Sequence, residues 1–417
     1  MSELKKLLEG VNVEWKSLSA IGKISGAGVD KKINSNERSI KLLNYMDIYR
    51  NRYITKNIPI MIVSASERKI EQCNILRGDI FFTPSSEVIN DIGKSAVALE
   101  DMDGCVYSYH IMRLRLNASN ISASMFVSYM LGSKFVQEQI NKKAKGLTRF
   151  GLTKTQWENL QIPIPCPDNP EKSLKIQEEI VRILDRLSEE TNQLTAALQK
   201  ELDLHQKQYN CYREELFKFE GKEVEWKSLG ELANYSKERI NYTLLNNSNY
   251  VGVDNLLQNK QGKSNSNYTP VEGNFTKYGI NDILIGNIRP YLKKIWFSDR
   301  SGGTNGDVLV VNIIDNKLVP RFLYQILADD KFFNYNMQYA KGAKMPRGNK
   351  EKIMEYNIPI PFPKDLEKSV KEQERIVKIL DDLNDKTQAI TEAIQKEIVL
   401  RNKQYEYYRD QLLSFPK

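Results

Sequence analysis

The sequence predicts an α+β protein in which two mixed α/β domains are separated by a long antiparallel two-helix coiled coil, with a pseudo-twofold internal repeat. Three observations predict it. Several motifs occur twice, two long stretches free of proline and glycine carry apolar residues at heptad spacing, and these parts alternate along the chain.

The repeat comes first. Val13-Glu14-Trp15-Lys16-Ser17-Leu18 returns 211 residues later as Val224-Glu225-Trp226-Lys227-Ser228-Leu229. Ile162-Pro163-Ile164-Pro165 returns as Ile358-Pro359-Ile360-Pro361, an offset of 196 that then holds to the end of each copy. Glu171-Lys172-Ser173 thus matches Glu367-Lys368-Ser369, and Ile183-Leu184-Asp185 matches Ile379-Leu380-Asp381. Each copy is a divergent globular head, 1–167 or 221–363, followed by a well-matched helical segment, 168–220 or 364–417.

Within the heads, short β-like runs stand at Ile58–Val63, Asp79–Phe82, Tyr107–Leu116, Asp282–Ile285 and Asp307–Ile314. Helix-like runs stand at Ser124–Ile140 and Arg321–Met337, with Gly, Asn and Ser between them. The matched segments read as helices. Ile180, Leu184, Leu187, Thr191, Leu194 and Leu198 alternate steps of four and three, and their counterparts are Ile376, Leu380, Leu383, Thr387, Ile390 and Ile394. That 3.5-residue period is a coiled-coil seam, and some 45 residues make a rod of roughly 65–70 Å. Thr191 and Thr387 fall in the seam as tolerated polar positions or as a register-setting layer. The Ile-Pro-Ile-Pro runs stop the preceding element and force an extended entry. A compact second head has its termini close together, so rod two begins where rod one stops and the rods run antiparallel. Rods used separately in intermolecular coiled coils remain the alternative.

Charge separates the parts. Lys+Arg against Asp+Glu is 23 to 16 in residues 1–167, 8 to 12 in 168–220, 19 to 14 in 221–363, and 11 to 11 in 364–417. The heads are cationic and the rods are not, so nucleic-acid contact through counterion release belongs to the heads. Candidates in head one are Thr83, Ser85, Ser86 and Tyr109, the last beside His110, together with Lys143, Lys145, Thr148 and Arg149. Head two offers Asn287, Arg289, Tyr291 and Lys293, the polar loop with Thr304 and Asn305, and Lys341, Lys344 and Arg347. Arg suits guanine edges, Asn suits adenine edges, and Gly next to Lys lets backbone approach phosphate.

Enzyme chemistry finds little material. A Ser25-Gly26-Ala27-Gly28 run is a bare G-x-G turn, no Walker loop exists, and no Asn- or Asp-Pro-Pro-aromatic motif accompanies a cofactor loop. Two histidines, His110 and His205, and four separated cysteines leave no metal-ligand spacing. Acid pairs Asp101/Asp103 and Asp381/Asp382 read as solvated faces. The opening Met1–Gly10 interleaves acids with apolar residues and no stretch near 20 residues is wholly apolar, so a cytoplasmic chain with reduced thiols is expected, with no membrane partner. From the residues alone, three readings stand: a DNA-binding module, a coiled-coil scaffold whose heads bind protein or RNA, and an enzyme with an unfamiliar site.

The order of two variable heads, each followed by a repeated helical segment, resembles the specificity subunits of type I restriction–modification systems. Asn281-Asp282-Ile283-Leu284 with Ile288-Arg289-Pro290 is similar to a Gly-Asp-Ile-Leu…Ile-Arg-Pro run in their target-recognition domains, with Asn281 in place of the usual Gly. Gly78-Asp79-Ile80 keeps that Gly, and Ile92-Gly93-Lys94-Ser95-Ala96 is also similar. The Ile-Pro-x-Pro run leading into a Gln-Glu-x-Ile-Val-x-Ile-Leu-Asp helix, at Ile162–Asp185 and Ile358–Asp381, resembles the family most closely. The resemblance implies a non-catalytic subunit whose heads each read half of a bipartite, non-palindromic double-stranded DNA target. The helical segments, with the seam residues Ile180, Leu184, Leu187, Leu194, Leu198, Ile376, Leu380, Leu383, Ile390 and Ile394, would be spacer and docking surface for two methyltransferase subunits. No cofactor is implied on this chain; S-adenosylmethionine, Mg and ATP would sit on those subunits and on a translocating restriction subunit.

Overall fold

The two most faithfully repeated motifs pair with each other. In the computed structural model, which describes residues 10–118, 120–219, 221 and 223–415, strand Val13–Ser17 lies antiparallel to Gln161–Pro165, with Trp15 opposite Pro163. Val224–Ser228 pairs with Asn357–Pro361 in the same register, Trp226 opposite Pro359. Proline has no N–H to donate, so a two-stranded ribbon outside the main sheets is where such a strand fits. Each ribbon joins the first and last strands of its head. Cys166 and Phe362 then take left-handed backbone, φ 46° and 47°. Asn169 and Asp365 follow, accepting from the Lys172 and Lys368 N–H groups at 3.0 Å as helix caps. Beyond them run the long helices Pro170–Leu216 and Leu366–Leu412, of 47 residues each. The expectation drawn from Met1–Gly10 lies, apart from Gly10, outside the described residues.

The chain divides into two units, Met1–Gln199 with Gln395–Lys417, and Lys200–Ile394. In the first, a five-stranded sheet runs in the order Gly22–Ser25, Met112–Leu116, Ile80–Phe82, Ser95–Ala98, Tyr53–Ile54. A three-stranded sheet sets Arg38–Leu43 between Met61–Ala65 and Cys105–Tyr107. The core contains Phe82, Phe126, Trp157, Ile162, Ile180 and Leu184, and the chain's last apolar residues, Leu412, Leu413 and Phe415, pack into it. In the second unit, Val308–Ile313 and Ile283–Gly286 lie at the centre of a four-stranded sheet flanked by Ala233–Tyr235 and Ile295–Phe297. Its core joins Phe219, Phe322, Phe332 and Ile358 to Ile376 and Leu380. Each unit's core holds residues from both long helices: Ile180 and Leu184 with Leu412 in the first, and Leu216 with Ile376 and Leu380 in the second.

The apolar stripe is fully buried next to each head and unevenly buried beyond it. Ile180, Leu184, Ile376 and Leu380 are fully buried, Leu187, Leu198, Leu383 and Ile390 are half-buried, Ile394 is buried, and Leu194 is exposed. Thr191 Oγ1 donates to the Leu187 carbonyl at 2.7 Å, so its hydroxyl is satisfied within its own helix.

Three expectations are corrected. Tyr107–Leu116 is two strands, Cys105–Tyr107 and Met112–Leu116, in different sheets. The two long helix-like runs each break into two: Ser133 caps Lys134–Lys143 after Ile121–Leu131, and Asp329 caps Asp330–Gln338 after Pro320–Leu327. Capping side chains inside an apolar run end one helix and start the next, a local signal that periodicity overrode. Asp381 is not on a solvated face. It takes Arg321 at 3.0 and 3.1 Å and Gln325 Nε2 at 2.6 Å, fastening head two to the start of its helix. Asp185, its counterpart, accepts from the Tyr53 and Tyr129 hydroxyls in head one.

Candidate nucleic-acid interface

One strand in each head delivers the candidate residues. Before it, Gly78 stands at φ 89° and Asn281 at φ 70°, so both occupy the left-handed region. Asn is the side chain that tolerates this conformation best, which is why it can stand where the first head has Gly. The following aspartates close the turn. Asp79 Oδ2 accepts from Leu76 N at 2.8 Å, and Asp282 Oδ2 from Gly279 N at 2.6 Å. Burial pushes the Asp282 carboxyl above its ordinary range, opposed by the Gly279 N–H and by Asn312. The Gly/Asn-Asp-Ile run is therefore a turn and a strand start, and the strand's far end carries the chemistry.

At that end of head two, the loop after Ile283–Gly286 is zipped to the basic loop near residue 345 by main-chain bonds. Gly348 N donates to Asn287 O (3.0 Å), Ile288 pairs with Arg347, and Arg289 N donates to Pro346 O (2.7 Å). Lys341 and Arg347 bond each other in both directions, at 2.9 and 2.8 Å, closing the basic loop on itself. Head one repeats the frame, with its basic loop at the 196-residue offset and its facing segment at an offset of 203. Leu152 N donates to Pro84 O (3.3 Å), Ser85 pairs with Gly151 and Ser86 with Phe150, and Lys145 and Gly151 bond each other. Thus Ser85, Ser86, Lys145 and Arg149 are brought together in one head, and Asn287, Arg289, Lys341 and Arg347 in the other. Arg149 Nε reaches Ser85 Oγ at 3.1 Å.

The tips of both frames are exposed and cationic. Lys145, Thr148 and Arg149 are exposed in head one, with Lys143 half-buried at the end of helix Lys134–Lys143. Arg289, Tyr291, Lys341, Lys344 and Arg347 are exposed in head two. Arg289 and Lys293 are both left-handed, at φ 54° and 50°, on either side of the Pro290–Leu292 turn. Such conformations cost energy in a non-glycine residue and cluster where geometry serves function. Helix Asp330–Gln338 supports this turn: Asp330 takes Lys293 Nζ and Lys260 Nζ, each at 2.9 Å. Neither Lys260 nor Asp330 stood out in the sequence, because nothing local marks a residue that supports a loop 30 or more positions away. Arg347 Nη2 stands 3.6 Å from Asp307 Oδ1.

Tyr109 is half exposed, with its ring 3.9 Å from that of His110. Burial, then the Lys31 and Arg149 cations, hold the His110 imidazole below its usual range, opposed by Asp30. Gly28 supports Tyr109 and His110 from below, since a Cβ there would lie 2.2 Å from the Ser108–Tyr109 backbone. The G-x-G run is a packing device.

Several candidates do not reach solvent. Thr83 is fully buried and its Oγ1 donates to Asp91 O at 2.8 Å. Thr304 is fully buried with its Oγ1 on Val251 O. Both hydroxyls are structural, and the expected contacts with DNA are withdrawn for them. Gly302–Thr304 is a buried strand paired with Asn274–Tyr278 and Tyr250–Val251, not a flexible loop, and Asn305 is half-buried, accepting from Asp307 N at 3.3 Å. Ser86 and Asn287 are buried at the base of their frames.

Comparison with known proteins bears on this geometry. The family model described as type I restriction modification DNA specificity domain matches residues 11–204 and 221–400. The chain is 30% identical to the specificity subunit of the Escherichia coli type I restriction enzyme EcoR124I/EcoR124II, over 100% of this chain and 98% of that one. It is 26% identical to the specificity subunit of the E. coli type I restriction enzyme EcoprrI, over 94% and 92%. In fold it is similar to a solved chain from work on complex assembly and conformational transition of the type I R-M system, with TM-score 0.68, 14% identity and coverage of 97% and 98%. It is also similar to the HsdS subunit of Thermoanaerobacter tengcongensis, with TM-score 0.52, 15% identity and 97% of each chain covered. Among the described residues no helix is long and apolar enough to cross a membrane.

Proposed function

The chain belongs to the type I restriction–modification DNA specificity family, and from that premise we propose that it reads a bipartite, non-palindromic duplex target, one half with each head. The observation that carries this reading is the shared loop frame. The same main-chain bonds recur, with the basic loop at the 196-residue offset and the facing segment at 203, and both loops keep a lysine, Lys145 or Lys341, yet the other side chains presented differ: Ser85, Thr148 and Arg149 in one head, Arg289, Lys344 and Arg347 in the other. A common frame with unlike contact groups suits two unlike half-sites. Phosphate contacts from the lysines would fix register, and the arginines are the groups able to address base edges bidentately.

The long helices, on this reading, set the spacing of the half-sites and dock two modification subunits, which hold S-adenosylmethionine; the restriction subunit joins that assembly. The chain itself contributes binding and no bond-making step, and needs no cofactor of its own. The test uses the full chain with its modification subunits and three duplexes: the target, and the target with one or the other half scrambled. Arg149→Ala is expected to reduce preference for the first half alone, and Arg347→Ala for the second alone. Loss of the same half by both variants would overturn the assignment, as would equal binding of all three duplexes by the parent chain. Competition by RNA in place of duplex DNA would favour the scaffold reading.

A further inference from the structure

Beneath the second frame lies a buried polar set that the first frame lacks. Asn287 and Asn336 are 5% and 1% exposed, and Gly348 is buried between them. A Cβ on Gly348 would lie 2.4 Å from Asn336 Oδ1 and 2.9 Å from Asn287 Oδ1. Among the described residues, neither amide atom of Asn336 has a hydrogen-bond partner, nor has Asn287 Oδ1. At the corresponding places in head one stand Ile140 and Leu152, both buried, and Pro84, whose carbonyl takes the Leu152 N–H as Asn287 takes that of Gly348.

An apolar trio therefore fills this place in one head, and two amides with a missing side chain fill it in the other. Buried amides with unmade hydrogen bonds destabilise a fold relative to apolar groups of the same shape. Stability does not account for them, but geometry can. With no side chain at 348, the main chain of the Arg347 loop comes down against helix Asp330–Gln338. That same helix holds Lys293 through Asp330. Asn287 precedes Arg289 by two residues and Gly348 adjoins Arg347, so the set lies at the root of both exposed arginines.

We propose that Asn287, Asn336 and Gly348 are positioning residues that fix how deeply the Arg289 and Arg347 loops sit, and so determine discrimination at the second half-site without contact with DNA. The proposal rests on the reading that head two meets duplex DNA through these loops. Its test is Asn336→Ile, which installs the residue found at this place in head one, measured in the full chain with its modification subunits. The preference for target over a duplex with the second half scrambled should fall by about tenfold, a sizeable share of one bidentate base contact. Preference at the first half and the slope of affinity against salt should stay unchanged, which a general loss of structure would not leave intact. If Asn336→Ile unfolds head two, Gly348→Ala and the double variant Asn336→Ala/Gly348→Ala decide instead: the added Cβ should lower the preference, and removing the Asn336 amide should restore part of it, since the 2.9 Å approach to Asn287 Oδ1 stays. Parental discrimination kept by Asn336→Ile or by Gly348→Ala overturns the proposal, as does a double variant that regains nothing. A parent chain that cannot tell the duplexes apart sinks the underlying reading, a result distinct from either.

Discussion

Replacing Arg347 and Lys344 in turn separates base reading from phosphate binding within one loop. Arg347 has a side chain 57% exposed, and its one ion pair among the described residues is the 3.6 Å approach to Asp307. Exposed pairs of that kind contribute about 0–1 kcal/mol, and the main-chain bonds to Lys341 survive truncation, so Arg347→Ala leaves the fold nearly untouched. If its guanidinium addresses a base edge, the target complex loses about 1–3 kcal/mol, roughly 5- to 150-fold in Kd. A duplex with the second half scrambled loses little. Lys344→Ala, at the exposed tip, weakens all duplexes alike and lowers the slope of log K against log salt by about 1. Fluorescence anisotropy across a salt series, on target and scrambled duplexes, reads both quantities. The reasoning is refuted if Arg347→Ala lowers affinity equally on every duplex with a smaller salt slope, or if neither substitution changes anything.

Further expectations follow from the same contacts. Asp185→Ala strands the hydroxyls of Tyr53 and Tyr129, the latter 1% exposed, and should cost about 2–4 kcal/mol in denaturant unfolding; an unchanged midpoint would contradict its role as a fastening. His110 has a depressed pKa in the folded chain, so the unfolded chain takes up its proton first and stability falls as pH drops through the ordinary histidine value of about 6.5. The melting temperature of the parent should therefore decline relative to His110→Gln below about pH 6.5 and match its trend above. Removing one heptad from each long helix shortens each by about 10 Å, so the preferred spacer should shrink by about three base pairs while both half-sites are kept; selection of an unchanged spacer would count against the helices as its determinant.

The repeat made much of this protein readable. The 196-residue offset located both long helices to within a few residues, because proline-free heptads and the Ile-Pro-Ile-Pro stops are local signals. It also aligns Lys145 with Lys341, whose main chains close equivalent loops. What stayed hidden was long-range main-chain pairing, which leaves no side-chain signature. Val13–Ser17 and Gln161–Pro165 were each conspicuous, but nothing in either says that it pairs with the other. In the same way Thr83 and Thr304 look like loop hydroxyls by composition, and only the sheets that surround them show they are buried. Asp381 looked solvated because its partners, Arg321 and Gln325, lie some 60 residues away.

The account depends on two heads that share a backbone frame and read different sequences with it. Selection of bound duplexes from a fully randomised library, using the full chain with its modification subunits, tests this most directly. Two enriched blocks of unlike sequence, separated by a fixed run of unselected positions, are predicted. A single continuous block, a palindrome, or no enrichment at all would contradict it.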